Sequence, residues 1–149
     1  MRSAVSDIEH HLRSSGLRFT AQRYGVLKYL ASGQFHATAD EIYVALTEHE
    51  PLVSRATVYN TLNELTRAGL VREFPSGSNA ARYDANLHPH HHFVCDSCGT
   101  VEDIAWFGLP RQSGHPDLGG HNIRSYEVVF RGTCGKCSQN DAVKPAGAS

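Results

Sequence analysis

Two Cys-x-x-Cys pairs, Cys95-Asp-Ser-Cys98 and Cys134-Gly-Lys-Cys137, constrain this 149-residue chain more than any other feature. Each tight knuckle aims two sulfurs at one point, and two knuckles supply the four thiolates of a closed tetrahedral zinc site. A pair of redox dithiols is the other reading of the same residues. Just before the first knuckle stand His90, His91 and His92. These are nitrogen donors for which a closed four-sulfur site has no room, so they ask for a second metal. The alternative is a histidine tract in a loop with adventitious metal affinity. If the tract is a strand, His90 and His92 share one face and His91 takes the other.

A hydrophobic fraction of 40% is that of a globular protein, and the length suits one ordinary domain or two small ones. No run is long enough to span a membrane, and the first residues carry no apolar signal core. The expected location is therefore cytoplasmic, where metal explains four cysteines better than disulfides do. The formal net charge is -1, so bulk basicity argues neither for nor against nucleic acid. The charge is uneven, however. Arg2, Arg13, Arg18, Arg23 and Lys28 crowd the first thirty residues, whereas Asp40, Glu41, Glu48 and Glu50 form an acidic patch. Contact with phosphate would fall to selected faces.

Along the chain, Val5, Ile8 and Leu12 recur at helical spacing up to Gly16. Thr20 is placed to cap a second helix with Tyr24, Leu27 and Leu30 inward. Thr38-Ala-Asp-Glu41 is a capping box for a third, and Ser54 can cap a fourth. In that fourth helix Val58, Leu62 and Leu65 share a stripe, with Ala56, Asn60, Asn63 and Arg67 opposite and Arg55 and Tyr59 on the flank. Period-two alternation follows in Leu70 to Phe74 and Ala80 to Tyr83 around a turn at Pro75 to Asn79, which is a hairpin signal. Short helices ending in a hairpin describe either a winged helix-turn-helix or a small helical domain with one solvated face. Beyond Tyr83 short strands flank the knuckles and predict a small domain pinned by zinc. Residues 107–120 are rich in Gly and Pro and predict loop, and the small polar residues after Cys137 predict a frayed tail.

Gly16-Leu-Arg-Phe-Thr-Ala-Gln-Arg23, His36-Ala-Thr-Ala-Asp-Glu-Ile-Tyr43, Ser54-Arg-Ala-Thr-Val-Tyr59, Arg82-Tyr-Asp84, the histidine run and the paired knuckles stand in a specific order. That order, from about Leu12 to Cys137, resembles the ferric uptake regulator family. The resemblance implies an α+β chain. A winged helix-turn-helix DNA-binding domain spans 1–84, a hinge 85–91, a small α/β dimerisation domain with the four-cysteine zinc site 92–138, and a disordered tail 139–149. It implies a metal-dependent transcriptional repressor rather than an enzyme, acting as a homodimer on double-stranded DNA at an AT-rich palindromic operator.

Within the family the chain looks most like the peroxide-sensing PerR-like branch, to which Asn60 and Asp103 also point. By that resemblance a regulatory Fe(II) or Mn(II) falls to His36, Asp84, His90, His92 and Asp103, with His36 and His90 as the imidazoles that peroxide oxidises. Sulfur-free imidazole and carboxylate ligands suit those ions. One ion held by residues of both domains would set the angle between them, and hence the spacing of the two recognition helices in a dimer. Arg55 and Tyr59 are the family's base-reading positions, and Arg18, Arg23 and Arg82 are candidate phosphate contacts. A further metal site of some members is incomplete, because Pro89, His91 and Tyr126 stand at its positions.

Plainer roles exist for each residue. His36 could be a surface histidine, Asp84 and Asp103 could bond at strand ends, and Tyr59 could be partly buried core. A metallohydrolase lacks support, since no His-Glu-x-x-His occurs. A zinc-thiol redox switch, and an iron- or zinc-availability regulator of the same family, remain as alternatives to a peroxide sensor.

Overall fold

The computed structural model describes residues 4–33, 36–74, 80–108 and 119–142. They belong to two compact units, Met1–His88 and Pro89–Ser149.

The first unit is built from helices α1 (Ala4–Ser14), α2 (Ala21–Ala31), α3 (Ala39–Thr47) and α4 (Arg55–Arg67) with strands β1 (Ala37–Thr38), β2 (Arg72–Phe74) and β3 (Arg82–Asp84). The helix starts follow the expected side chains. Thr20 Oγ1 accepts from the Arg23 backbone N–H at 3.2 Å, and Ser54 Oγ from that of Thr57 at 3.1 Å. Thr38 and Glu41 form the reciprocal capping box. Helix α4 is capped at Ala68, and Gly69 just beyond turns the chain with a φ of +73° that a side chain rarely adopts.

Helical periodicity then selects the core. Leu12, Val26, Leu30, Ile42, Val58, Leu62 and Leu65 are buried together, while Ala56, Asn60, Asn63 and Arg67 face solvent. Truncating one of the fully buried leucines removes its dispersion contacts and leaves a void. Leu62→Ala is expected to cost about 2–5 kcal/mol, read as a lower urea midpoint.

Strands β2 and β3 pair antiparallel, with Arg72 opposite Asp84, and β1 adds to the other edge of β3, with Ala37 opposite Tyr83. The turn expected at 75–79 lies outside the described residues. The sheet order β1-β3-β2 brings the segment just after His36 beside the strand that ends at Asp84.

The second unit holds β4 (His90–Cys95), β5 (Val101–Ala105), β6 (Val129–Gly132) and α5 (Gly135–Ala142). β4 is central. It pairs antiparallel with β5 across the first knuckle, placing His92 opposite Asp103, and parallel with β6, placing His92 opposite Val129. The knuckle turns at Gly99, with φ of +72° and its N–H on the Cys95 carbonyl at 2.9 Å.

The tail expected from residue 139 begins as helix, because α5 starts inside the second knuckle and continues to Ala142. Its first full turn is tied by Ser138 N–H to the Cys134 carbonyl at 2.9 Å. Ser138, Gln139 and Asn140 are exposed, so this helix has no apolar stripe to announce it. Of the expected loop, residues 107–108 and 119–120 form neither helix nor strand, and 109–118 lie outside the described residues. No helix among the described residues is long and apolar enough to cross a membrane.

Candidate metal centres and nucleic-acid face

The four cysteine sulfurs converge. Cys98 Sγ and Cys134 Sγ are 3.8 Å apart, and one ligand atom from each of Cys95, Cys98, Cys134 and Cys137 lies within 4.8 Å of the others. Sulfurs about 2.3 Å from a tetrahedral zinc are roughly 3.8 Å from one another, so the cluster fits that ion. Its protons are distributed unevenly. The Cys95 thiol is lowered to about 6, chiefly by the backbone N–H of Cys134, 3.3 Å from its sulfur, and then by that of Cys98. The Cys137 thiol is pushed up to about 12, first by hydrogen bonding with the Cys134 side chain and then with that of Cys98. Four adjacent sulfurs cannot all carry charge without a cation, so one ionises early and another holds its proton late.

The sign follows. Between those two values Cys95 is already a thiolate and Cys137 still a thiol. Zinc loading of the reduced metal-free protein near neutral pH is therefore expected to release fewer than four protons per ion, that of Cys137 among them. An indicator dye in weak buffer would count them, and release of four would contradict the assignment. Zinc retention should fall with falling pH, since protons compete for the same sulfurs.

Two further groups of donors, one in each unit, contain no sulfur. In the first unit His36 and Asp84 are buried, and His36 Nε2 lies 3.5 Å from Asp84 Oδ2. The other carboxylate oxygen accepts from the backbone N–H of Asn86 at 2.7 Å, which turns Oδ2 toward the imidazole. In the second unit His90 and His92 lie on one face of β4, with their Nε2 atoms 3.0 Å apart. Asp103 Oδ1 approaches His90 Nε2 to 3.4 Å. Two nitrogens at right angles around an ion roughly 2.1 Å away would be separated by about 3.0 Å, so this pair fits octahedral ligation.

His91 points the other way, as alternation requires. It is fully buried, stacked on Trp106 at 4.7 Å between ring centroids, and its Nδ1 accepts from Val128 N–H at 3.1 Å. It is a core histidine. His10, His11, His49 and His121 are exposed, as expected of surface residues, and His115 lies outside the described residues. Sequence reasoning missed Glu127, whose Oε2 lies 3.4 Å from His92 Nδ1. It stands in irregular chain just before β6.

The proposed DNA-contacting residues divide into two groups. Tyr59 is 46% exposed on α4, with Asn60 exposed beside it and Arg18 exposed ahead of α2. Arg55 is also exposed but forms an ion pair with Asp40 and lies 4.5 Å over the Tyr43 ring. Arg23 is directed inward. Its Nε and Nη2 donate to Glu64 Oε2 at 3.1 and 2.9 Å, and its Nη1 to the Arg18 carbonyl at 2.7 Å, fastening α2 to α4. Arg82 likewise donates from Nη1 to the His36 carbonyl at 2.6 Å. Composition marks an arginine as a cation, but only long-range packing decides which anion or carbonyl it meets.

Residues 14–113 match the ferric uptake regulator family. A peroxide-responsive repressor, PerR, of Staphylococcus saprophyticus is 35% identical over 92% of this chain and 98% of its own. The solved peroxide stress regulator of Campylobacter jejuni superposes with a TM-score of 0.63 at 27% identity, covering 91% of this chain and all of the other. PerR from Streptococcus pyogenes does so with a TM-score of 0.51 at 28% identity, covering 91% of this chain and 94% of its own.

Proposed function

The chain belongs to the ferric uptake regulator family, and from that premise we propose that it is a metal-dependent transcriptional repressor that senses peroxide. It is a regulator, not an enzyme. The observation that carries the reading is the presence of two chemically distinct donor sets. One is a four-sulfur cluster suited to structural zinc. The other comprises imidazole and carboxylate donors suited to Fe(II) or Mn(II), His36 with Asp84 in the first unit and His90 and His92 with Asp103 in the second.

In this proposal residues 1–84 form the winged helix-turn-helix DNA-binding domain, 85–91 the hinge and 92–138 the dimerisation domain. His36 and Asp84 from the first, with His90, His92 and Asp103 from the second, hold one regulatory ion. Each subset already has its donors arranged within its own unit, which lowers the ordering cost of binding. An ion that favours the DNA-competent arrangement of the domains raises DNA affinity by linkage. Tyr59 and Asn60, with Arg55 once released from Asp40, would read base edges and Arg18 would contact phosphate, a reading supported by their exposure. The homodimer would bring two such helices to an AT-rich palindrome. The half-exposed Trp106, Phe107, Tyr126 and Phe130 support an interface on the second unit.

Bound Fe(II) would activate peroxide by passing an electron into its O–O bond. For each peroxide consumed, one oxygen would be added at a ring carbon of His36 or His90 and the other would leave as water, the imidazole supplying the two electrons overall, and the modified ring would donate more weakly to metal. The remaining ligands hold the ion less well and DNA is released. Asn60 and Asp103, the residues that separate this branch from iron-uptake members in the resemblance, favour it over an iron- or zinc-availability regulator. A zinc-thiol redox switch would leave the sulfur-free set without a role.

The test is a peroxide titration of operator binding by iron-loaded and manganese-loaded protein. Loss of binding with iron alone is expected, with a single oxygen added to peptides containing His36 or His90 by mass spectrometry. Loss in both metal forms, or loss with every ligand unmodified, would overturn it.

A further inference from the structure

We infer that Arg82 is a positioning residue for the regulatory metal site, holding the first-unit donors His36 and Asp84 in place, and is not a phosphate contact. The inference rests on the proposed function, since it assigns Arg82 to that site.

Three observations within the first unit support it. Arg82 Nη1 donates to the His36 backbone carbonyl at 2.6 Å, so the guanidinium grips the chain at the ligand itself. The same nitrogen lies 3.5 Å from Glu41 Oε2, the oxygen that accepts the Thr38 backbone N–H at 2.7 Å in the capping box. Arg82 therefore joins His36 to the start of α3. Finally, Arg82 lies on β3, opposite Thr38 across the ladder and two residues before Asp84. One side chain thus connects the segment carrying the imidazole to the strand carrying the carboxylate. Its side chain is only 20% exposed. A phosphate contact would have to leave a charged hydrogen bond with the backbone carbonyl of the buried His36, an exchange with little net gain.

The chemistry predicts a specific pattern. Groups that orient metal ligands typically contribute 10- to 100-fold to metal affinity. In contrast, a phosphate contact contributes to the salt dependence of DNA binding, roughly one unit of slope per contact. Arg82→Ala and Arg82→Lys would be prepared in the full-length, zinc-loaded dimer. Mn(II) affinity would be measured by calorimetry or by the electron paramagnetic resonance of free Mn(II), and DNA affinity against salt at saturating Mn(II).

The expected result is a Mn(II) affinity about 10- to 100-fold weaker in Arg82→Ala, partly restored by lysine, which keeps one donor for the carbonyl. DNA affinity and its salt slope at saturating Mn(II) should match the parent protein. Unchanged Mn(II) affinity with a shallower salt slope would overturn the inference in favour of a phosphate contact. Unchanged Mn(II) affinity with only a lower melting temperature would overturn it in favour of a merely structural arginine. If the parent protein itself shows no Mn(II)-dependent DNA binding, the proposed function fails instead, and the two failures are distinguishable.

Discussion

Cys134→Ser is expected to yield protein without zinc whose second unit no longer folds, while the first unit remains helical. The expectation follows from how little apolar core the second unit possesses. Its buried hydrophobic residues among those described are Val94, Cys95, Val101 and Cys134, two of them zinc-site cysteines, joined by the buried rings of His91 and His92. The first unit, by comparison, buries a continuous cluster from Leu12 to Tyr83. A small unit with so thin a core needs a cross-link or a metal. Structural zinc supplies about 10–16 kcal/mol of apparent binding energy in small domains at neutral pH, and most of that energy is folding energy where no site exists in the unfolded chain.

Cys134 is an apt position because it is buried, its backbone N–H meets Cys95 Sγ, and its carbonyl ties down the first turn of α5. Losing its sulfur disturbs the metal and both knuckles together. Elemental analysis would report the zinc, and hydrogen exchange along β4 and β6 the fold. A zinc-free variant with parental protection in those strands would show that the sulfurs are not what holds this unit.

The second large effect is expected at His92. His92→Ala should weaken Mn(II) binding by more than about 100-fold, beyond the range of ligand-orienting groups, and abolish Mn(II)-dependent DNA binding with zinc content unchanged. His92 is 1% exposed, faces Asp103 across the β4–β5 ladder and presents Nε2 3.0 Å from that of His90. Removing it also opens a void in the sheet, so an internal control is needed. His91→Phe perturbs the same strand on its opposite face, among Trp106, Phe107 and Tyr126. It should leave Mn(II) affinity near the parental value. Equal losses in the two variants would point to a damaged strand instead of a missing ligand.

Much of this protein was legible from residue order. The caps at Thr20, Thr38 and Ser54, the stripe of Val58, Leu62 and Leu65, the opposed faces of His90 and His91, and the convergence of two cysteine knuckles are all local rules. A helix or strand period, or a two-residue gap, carries its geometry wherever it occurs. The exposed pair Tyr59 and Asn60 followed from the same period.

What could not be read that way depends on partners distant in sequence. Arg23, Arg55 and Arg82 are alike as letters, yet one clamps Glu64, one pairs with Asp40 and one holds the His36 carbonyl. The parallel pairing of β4 with β6, the helix that grows out of the second knuckle and the approach of Glu127 to His92 likewise escaped local pattern. Side-chain type sets which bonds are possible, but which are made is decided when folding brings remote segments within about 3 Å, because hydrogen bonds act only at that range.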